Sequence, residues 1–208
     1  ILASAIIGLW RYKTLEISLR IMAVLLLITS ISEISCLFAT LYKNYYLKLS
    51  IFHVFSVIQG SLISAYFVYA TGMKKPLTIV AAAIAFWTLA GVGNALFLQP
   101  LGTLNSNMLM LESLAIITMS LYFIYGTLKH DWADNVFRFV HFRISVLWLV
   151  FWGVTFFFWG FVAILWKNQW QHATVLMYAQ SVVEFFVYVG FAFSLYKADK
   201  KMIIHEAR

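Results

Sequence analysis

The sequence predicts an all-α integral membrane protein, a bundle of seven transmembrane helices. Two observations carry this prediction. The 208 residues are 63% hydrophobic and 11% charged, with a mean hydropathy of +0.87, whereas soluble domains have about 45–50% apolar and about 25% charged residues. The apolar segments are also each close to the ~20 residues that a membrane-spanning helix requires. We therefore expect a single transmembrane helical domain, residues 1–208, surrounded by the lipid bilayer.

Seven apolar segments follow one another, separated by short polar or charged connections. The first, residues 1–10, covers only about 15 Å at about 1.5 Å per residue, so we interpret it as the inner half of a helix whose beginning is absent. Pro76 and Pro100 are the only prolines and bracket the fourth segment, where they can begin and end a helix without removing interior hydrogen bonds. The other six predicted spans are 18–42, 46–72, 77–99, 107–128, 140–166 and 173–196.

The basic residues predict the orientation of the bundle. When the connections are counted alternately, only Lys43, Lys48 and Lys167 of the 15 Lys and Arg residues fall on one side of the membrane. The positive-inside rule places the richer side in the cytoplasm, so the N-terminus is expected outside and the C-terminus inside. The end of the chain, "SLYKADKKMIIHEAR", is then expected either to continue helically toward a cytoplasmic signalling partner or to anchor at the membrane surface.

Charge and cysteine content exclude other classes. The net charge of +7 does not indicate nucleic acid, because no Lys/Arg-rich run interleaved with aromatic residues occurs. The single cysteine, Cys36, excludes an intrachain disulfide and any Cys-based metal motif.

Three carboxylates fall within the apolar spans: Glu33, Glu112 and Glu184. A charged carboxylate at mid-span costs roughly 2.5–3.5 kcal/mol on insertion scales, and an intramembrane carboxylate is by default a functional-site hypothesis. We therefore expect all three to face the bundle interior.

Other polar and aromatic residues extend this candidate site. Polar residues of this kind often only bridge two helices, but His53, Asn94 and Gln180 share the predicted outer half of the spans with the three carboxylates. One face of the sixth helix carries Trp152 and Trp159, which either line a cavity or pack. The hypothesis is that Glu33, His53, Glu112 and Glu184 meet around one cavity open to the outside. The predicted ligand-binding residues are Glu33, His53, Asn94, Glu112, Gln180, Glu184, Trp152 and Trp159.

Known seven-helix chemistries narrow the function further. A retinal protein needs a lysine buried in its last helix, and no lysine falls inside the last predicted span, which excludes a retinal Schiff base. Paired haem ligands are not expected, because His53 is the only histidine placed deep in a span, with His130, His141, His172 and His205 at or beyond the interfaces. No catalytic residue, metal site or cofactor is predicted, so an enzyme is not the favoured interpretation.

The spans also show a resemblance. The second and third contain "ITSISEISCLF" and "LSIFHVFSVIQG", and the fifth and sixth contain "MLMLESLAIITMSLYFIYGTL" and "FRISVLWLVFWGVTFFFWGFVAIL". These patterns resemble uncharacterised bacterial seven-helix proteins found beside or fused to sensor histidine kinases. The resemblance implies a sensory role in a bacterial cytoplasmic membrane and carries over no catalytic residue.

The sequence thus favours a receptor-like or sensory membrane module whose outward-facing polar cavity receives a small ligand, a proton or a cation. The alternatives are a small proton- or cation-coupled transporter or channel and, third, an intramembrane metal-dependent enzyme. A cavity closed toward the cytoplasm favours the receptor, a polar path through both leaflets favours transport, and metal bound to His53 with carboxylates favours the enzyme.

Overall fold

In a computed structural model, the described residues 1–129, 136–168 and 170–198 form seven α-helices, with only the backbone described within 162–174. A π-helical segment, Asn94–Leu98, continues the fourth helix, and a 3-10 turn, Val136–Arg138, precedes the sixth. The helices are α1 Leu2–Trp10, α2 Ile17–Leu41, α3 Tyr45–Ala70, α4 Pro76–Gly93, α5 Ser106–Lys129, α6 Val140–Asn168 and α7 Trp170–Lys197.

The all-α prediction is confirmed: the described residues form seven helices, and six segments are long and apolar enough to cross a membrane. Their ends lie within two residues of the predicted spans, except that the sixth predicted span continues five residues beyond Phe161. α1 has nine residues and is shorter than a membrane span. The six candidate spans are Ile17–Leu41, Tyr45–Ala70, Pro76–Leu98, Ser106–Lys129, Val140–Phe161 and Val175–Lys197.

Hydroxyl side chains within the spans are mostly satisfied by their own helix. Thr29 donates to the carbonyl of Leu25 and Ser30 to that of Leu26, each at 2.8 Å. Such bonds to the carbonyl four residues earlier let a polar residue lie in an apolar environment without a partner helix. Pro76 lies in the first turn of α4, as predicted.

Six of the helices form a closed ring, and α4 lies outside it. Each of the pairs α1–α2, α2–α3, α3–α5, α5–α6, α6–α7 and α7–α1 is in contact, whereas α4 packs mainly on α3. α2 and α6 run in one direction along the bundle, and α3 and α5 run in the other, so α3 and α5 are parallel neighbours. We call the end of the bundle where α2, α4 and α6 begin the basic end, because the connections richer in Lys and Arg lie there, and the other end the opposite end.

α4 is held on α3 by one close contact. Trp87 is buried, and its indole donates to Ser64 Oγ at 3.0 Å. A Cβ atom placed on Gly60 would lie 2.7 Å from the Trp87 ring, so the absence of a side chain at Gly60 allows this approach.

We predict that Gly60→Ala destabilises the protein, because the added methyl group forces the Trp87 ring out of its place. Overpacking of this kind typically costs about 1–3 kcal/mol. Thermal unfolding of the protein in detergent micelles measures the effect. Gly153→Ala is the matched control, since a Cβ there meets no described atom within 4 Å. Equal unfolding temperatures for the two variants would contradict the packing seen between α3 and α4.

Candidate functional site

A hydrogen-bonded cluster joins three helices at the basic end. His141, the second residue of α6, is 3% exposed, and its Nε2 contacts the carboxylate of Glu16, the residue before α2. Its Nδ1 lies 3.0 Å from the hydroxyl of Tyr66, which is 1% exposed on α3. Ser18 also donates to Glu16. We call Glu16, His141 and Tyr66 the basic-end triad; it ties α6 to α2 and α3.

One protonation pattern satisfies every member of the basic-end triad. If Tyr66 donates its hydroxyl hydrogen to Nδ1, then Nε2 carries the imidazole hydrogen and donates it to Glu16. A doubly protonated imidazole would instead require Tyr66 to accept from Nδ1, which leaves the buried phenol hydrogen without an acceptor among its described contacts. In either of these two forms Nε2 carries a hydrogen and donates it to Glu16.

Glu16 lies outside the spans, and its environment alters its acidity. Burial raises the pKa of this carboxyl group, but the hydrogen bond and charge of His141, together with the Ser18 hydroxyl, outweigh burial and lower the pKa below its ordinary value. The surroundings of Glu16 therefore stabilise the carboxylate form, which is the form that accepts the bond from His141.

A buried polar stripe runs along α6 away from His141. Its members are spaced so that they share one helix face, and none is more than 3% exposed. Three of them have a side-chain N–H or O–H without a hydrogen-bond partner among the described residues: Ser145, Trp148 and Trp152. The stripe consists of His141, Ser145, Trp148, Trp152 and Thr155.

Glu112 on α5 is the most deeply enclosed carboxyl group of the described chain. It is 0% exposed, and neither oxygen has a hydrogen-bond partner among the described residues. Such isolation is rare, because a buried polar group without a partner costs several kcal/mol.

Glu112 lies at the same level as Trp152 of the α6 stripe. Phe123 of α5 stacks near Phe139 and His141, with ring centroids 6.1 and 6.2 Å apart, which fixes the register of the two antiparallel helices. Glu112 is about three turns from Phe123, and Trp152 is about three turns from His141 in the same direction. Two fully buried and unpaired polar residues therefore face the interior from neighbouring helices at one depth.

α7 contributes a third polar group near this depth. Gln180 donates from Nε2 to the Thr155 hydroxyl at 2.8 Å, and its Oε1 has no described partner. Trp148 packs on Phe191 of α7 with ring centroids 4.6 Å apart. We call Glu112, Trp148, Trp152 and Gln180 the interior set.

A separate network closes the opposite end between α3, α4 and α5. Asn94 donates to Asn105 Oδ1 at 2.9 Å, and Asn105 donates to Ser56 Oγ at 2.8 Å. His53 Nε2 lies 3.1 Å from the carbonyl oxygen of Thr103. Asn94 begins the π-helical turn, which brings its side chain into the network. Single π-helical turns within α-helices are frequent at functional sites.

The two remaining carboxylates lie elsewhere. Glu33 is exposed on α2 and lines a groove of about 550 Å³ between α1 and α2, with Ser30, Ile34 and the first residues of α1. Glu184 on α7 is half-buried, as is Trp159 on α6.

Glu33 and Glu184 lie close enough to interact electrostatically, but no described contact joins them to His53 or Glu112, so the four residues do not form one group. Glu33 lines its groove without the other three, and His53 is engaged by the loop after the π-helix. The prediction that Glu33 faces the interior is wrong: the α2 face that carries it also carries buried Thr29 and Cys36, but Glu33 lies at the edge of that stripe.

Sequence reasoning missed the basic-end triad. It placed His141 at the membrane interface, where the helix does begin, but the surrounding helices bury the side chain. Glu16 lies in a connection and Tyr66 resembles an interfacial aromatic. One pattern in the sequence could have identified the buried position of His141. His141, Ser145, Trp148 and Trp152 are spaced at the period of an α-helix, which predicts one buried polar face.

We predict that the stabilising effect of Glu16 depends on pH. Because the folded state lowers its pKa, the contribution is fully present above the ordinary glutamate pKa of about 4.3 and is lost as the pH falls through the lower folded value. Glu16→Gln should therefore lower the unfolding temperature at neutral pH and much less at acidic pH. Thermal unfolding of the wild type, Glu16→Gln, His141→Gln and the double variant, each over a range of pH, measures this. Additive effects of the two substitutions at neutral pH would contradict the contact.

Comparison with protein-family models, with curated proteins and with solved structures finds no match to this chain. We therefore infer its function from its own residues and contacts.

Proposed function

We propose that the protein is a receptor-like, sensory membrane module. Its interior binds a small ligand, a proton or a cation near Glu112, and α6 conveys the bound state to the basic end. The observation that carries this proposal is the α6 stripe. One face of α6 bears the indoles of Trp148 and Trp152, which lack partners among the described residues, and the same face bears the hydrogen-bonded His141 at the basic end.

The receiving part of the proposed receptor is the interior set. Its donors and acceptors are buried and lack hydrogen-bond partners among the described residues. A molecule that binds there and pairs with them therefore forms hydrogen bonds that replace no existing ones. Binding there bears directly on α6, since Trp148 and Trp152 belong to α6 and are 2% and 1% exposed.

The output part of the proposed receptor is the basic end. By the positive-inside rule this end faces the cytoplasm, with the N-terminus of the chain outside. A tilt or rotation of α6 changes the distance from His141 to Glu16 and Tyr66, which lie on other helices, and so exchanges two arrangements of the basic end. The chain after α7 is the proposed contact for a cytoplasmic signalling partner, although residues 199–208 lie outside the described residues.

A second candidate function is proton- or cation-coupled transport. The observation that favours it is the pair of buried, unpaired hydroxyl groups of Ser120 and Ser145 between the interior set and the basic-end triad. Together with Glu112 and His141 they place polar groups at several depths along α5 and α6.

The proposed orientation predicts opposite labelling of two single cysteines in a Cys36→Ser background. Leu101→Cys, in the connection between α4 and α5, should react with a membrane-impermeant maleimide added to intact cells, because Leu101 is exposed and the proposed orientation places that connection outside. Lys74→Cys, in the connection between α3 and α4, should react only after the membrane is opened. Labelling in the reverse order would reject the orientation.

The proposed receptor predicts that a change at Glu112 alters the basic end. Spin labels on Lys74→Cys and Arg138→Cys, in the same Cys36→Ser background, report the distance between the α3–α4 connection and the start of α6. We expect His141→Phe to broaden or lengthen the measured distances by breaking the triad, and Glu112→Gln to shift the same population. Tyr122→Phe is the control, because this side chain is 63% exposed away from the interior.

Two outcomes of that experiment would decide against a receptor. If His141→Phe changes the distances and Glu112→Gln does not, the interior and the basic end are uncoupled. If Glu112→Gln instead abolishes a proton or cation flux in proteoliposomes that contain the purified protein, the transport function replaces it.

A further inference from the structure

We propose that the interior set binds a small protonated amine that also carries an oxygen acceptor, with Glu112 as its counter-ion and the indoles of Trp148 and Trp152 as donors to the oxygen. This inference rests on the proposed function and specifies the ligand class of the same site.

The first step is the absence of a cation for Glu112 within the described chain. The only ion pair among the described residues is that of His141 with Glu16. On the helices that pack against α5, the fixed basic residues Lys48, Arg143 and Lys167 lie near the ends of α3 and α6. His53 on α3 is engaged with the Thr103 carbonyl. In its carboxylate form Glu112 therefore takes its counter-charge from the ligand, since a buried carboxyl group that is not protonated is stable only when it is paired.

The second step is the character of the buried groups on α6 at the depth of Glu112. Trp148 and Trp152 are 2% and 1% exposed, and each indole N–H lacks an acceptor among the described residues. They are one turn apart on α6, and neither donates to Glu112. A molecule between these residues has to donate to the carboxylate and accept from the indoles. An ammonium group supplies the first function and a hydroxyl or carbonyl oxygen supplies the second.

The third step concerns charge and surroundings. A water molecule can donate and accept, but it leaves the carboxylate without a counter-ion. Ammonium adds that charge, and aromatic rings attract a cation when solvent is excluded. The neighbouring side chains Phe151 and Ile116 are buried and apolar, so the linker between the two polar groups of the ligand is expected to be a short hydrocarbon.

The test uses three probes of similar size: 3-amino-1-propanol carries both groups, n-butylamine lacks the oxygen, and 1,3-propanediol lacks the ammonium. Titration calorimetry of the purified full chain in lipid nanodiscs should rank their affinities in that order. Glu112→Gln should weaken binding of 3-amino-1-propanol by at least about tenfold, the amount expected for loss of a charge-assisted hydrogen bond.

Two further variants keep the test informative if Glu112→Gln folds poorly. Glu112→Asp retains the carboxylate and should retain the preference for amines. The double variant Trp148→Phe and Trp152→Phe keeps aromatic rings but removes both N–H donors, so it should bind 3-amino-1-propanol and n-butylamine equally.

The proposal is overturned if 1,3-propanediol binds as tightly as 3-amino-1-propanol, if none of the probes binds the wild type, or if Glu112→Gln binds unchanged. Its failure is distinguishable from failure of the receptor function. If the amines bind but the spin labels at the basic end do not move, the receptor function is rejected and the binding site is retained. If the labels move in Glu112→Gln but no amine binds the wild type, only the proposed ligand class is rejected.

Discussion

The hydrocarbon core of a bilayer offers no hydrogen bonds, and most features of this bundle depend on that constraint. Backbone groups are satisfied within the helices, and hydroxyl groups such as those of Thr29 and Ser30 donate to carbonyls of their own helix. Polar residues that cannot do so are paired between helices, as Asn94, Asn105 and Ser56 are. Against this background, Glu112 is exceptional, because it is an enclosed carboxyl group without a hydrogen-bond partner among the described residues, and for this reason we propose it as a binding position.

The same constraint explains which parts of the fold the sequence predicts. A helix needs about 20 apolar residues to cross the hydrocarbon, so segment length and composition locate both ends of five of the six candidate spans to within two residues. The start of α4 at Pro76 is also predictable, because proline favours the first turn of a helix whatever its tertiary contacts are. The inward position of Glu112 is also predictable, because the cost of facing lipid excludes the alternative for most intramembrane carboxylates.

Contacts between helices were not predictable in the same way. Equal depth suggested that Glu33, His53, Glu112 and Glu184 share a cavity, but depth specifies only one of the coordinates of a side chain. The direction in which a helix turns its face depends on packing with its neighbours, and that packing leaves Glu33 in a groove beside α1. The basic-end triad was missed for the same reason, since Glu16 and Tyr66 acquire their role only when α6 places His141 between them.

In the proposed receptor, the free energy of the hydrogen bonds in the basic-end triad determines the difference in affinity that a ligand needs in order to displace His141. A hydrogen bond to a charged group contributes about 1.5–3 kcal/mol, and each 1.4 kcal/mol corresponds to a tenfold change in an equilibrium. A ligand shifts two arrangements of α6 only by the difference between its affinities for them. A preference of roughly ten- to a hundredfold for the arrangement with His141 displaced therefore offsets one such bond. An ammonium that pairs with Glu112 in one arrangement and not in the other supplies a difference of this size, because the pairing is itself a charge-assisted bond in an enclosed site.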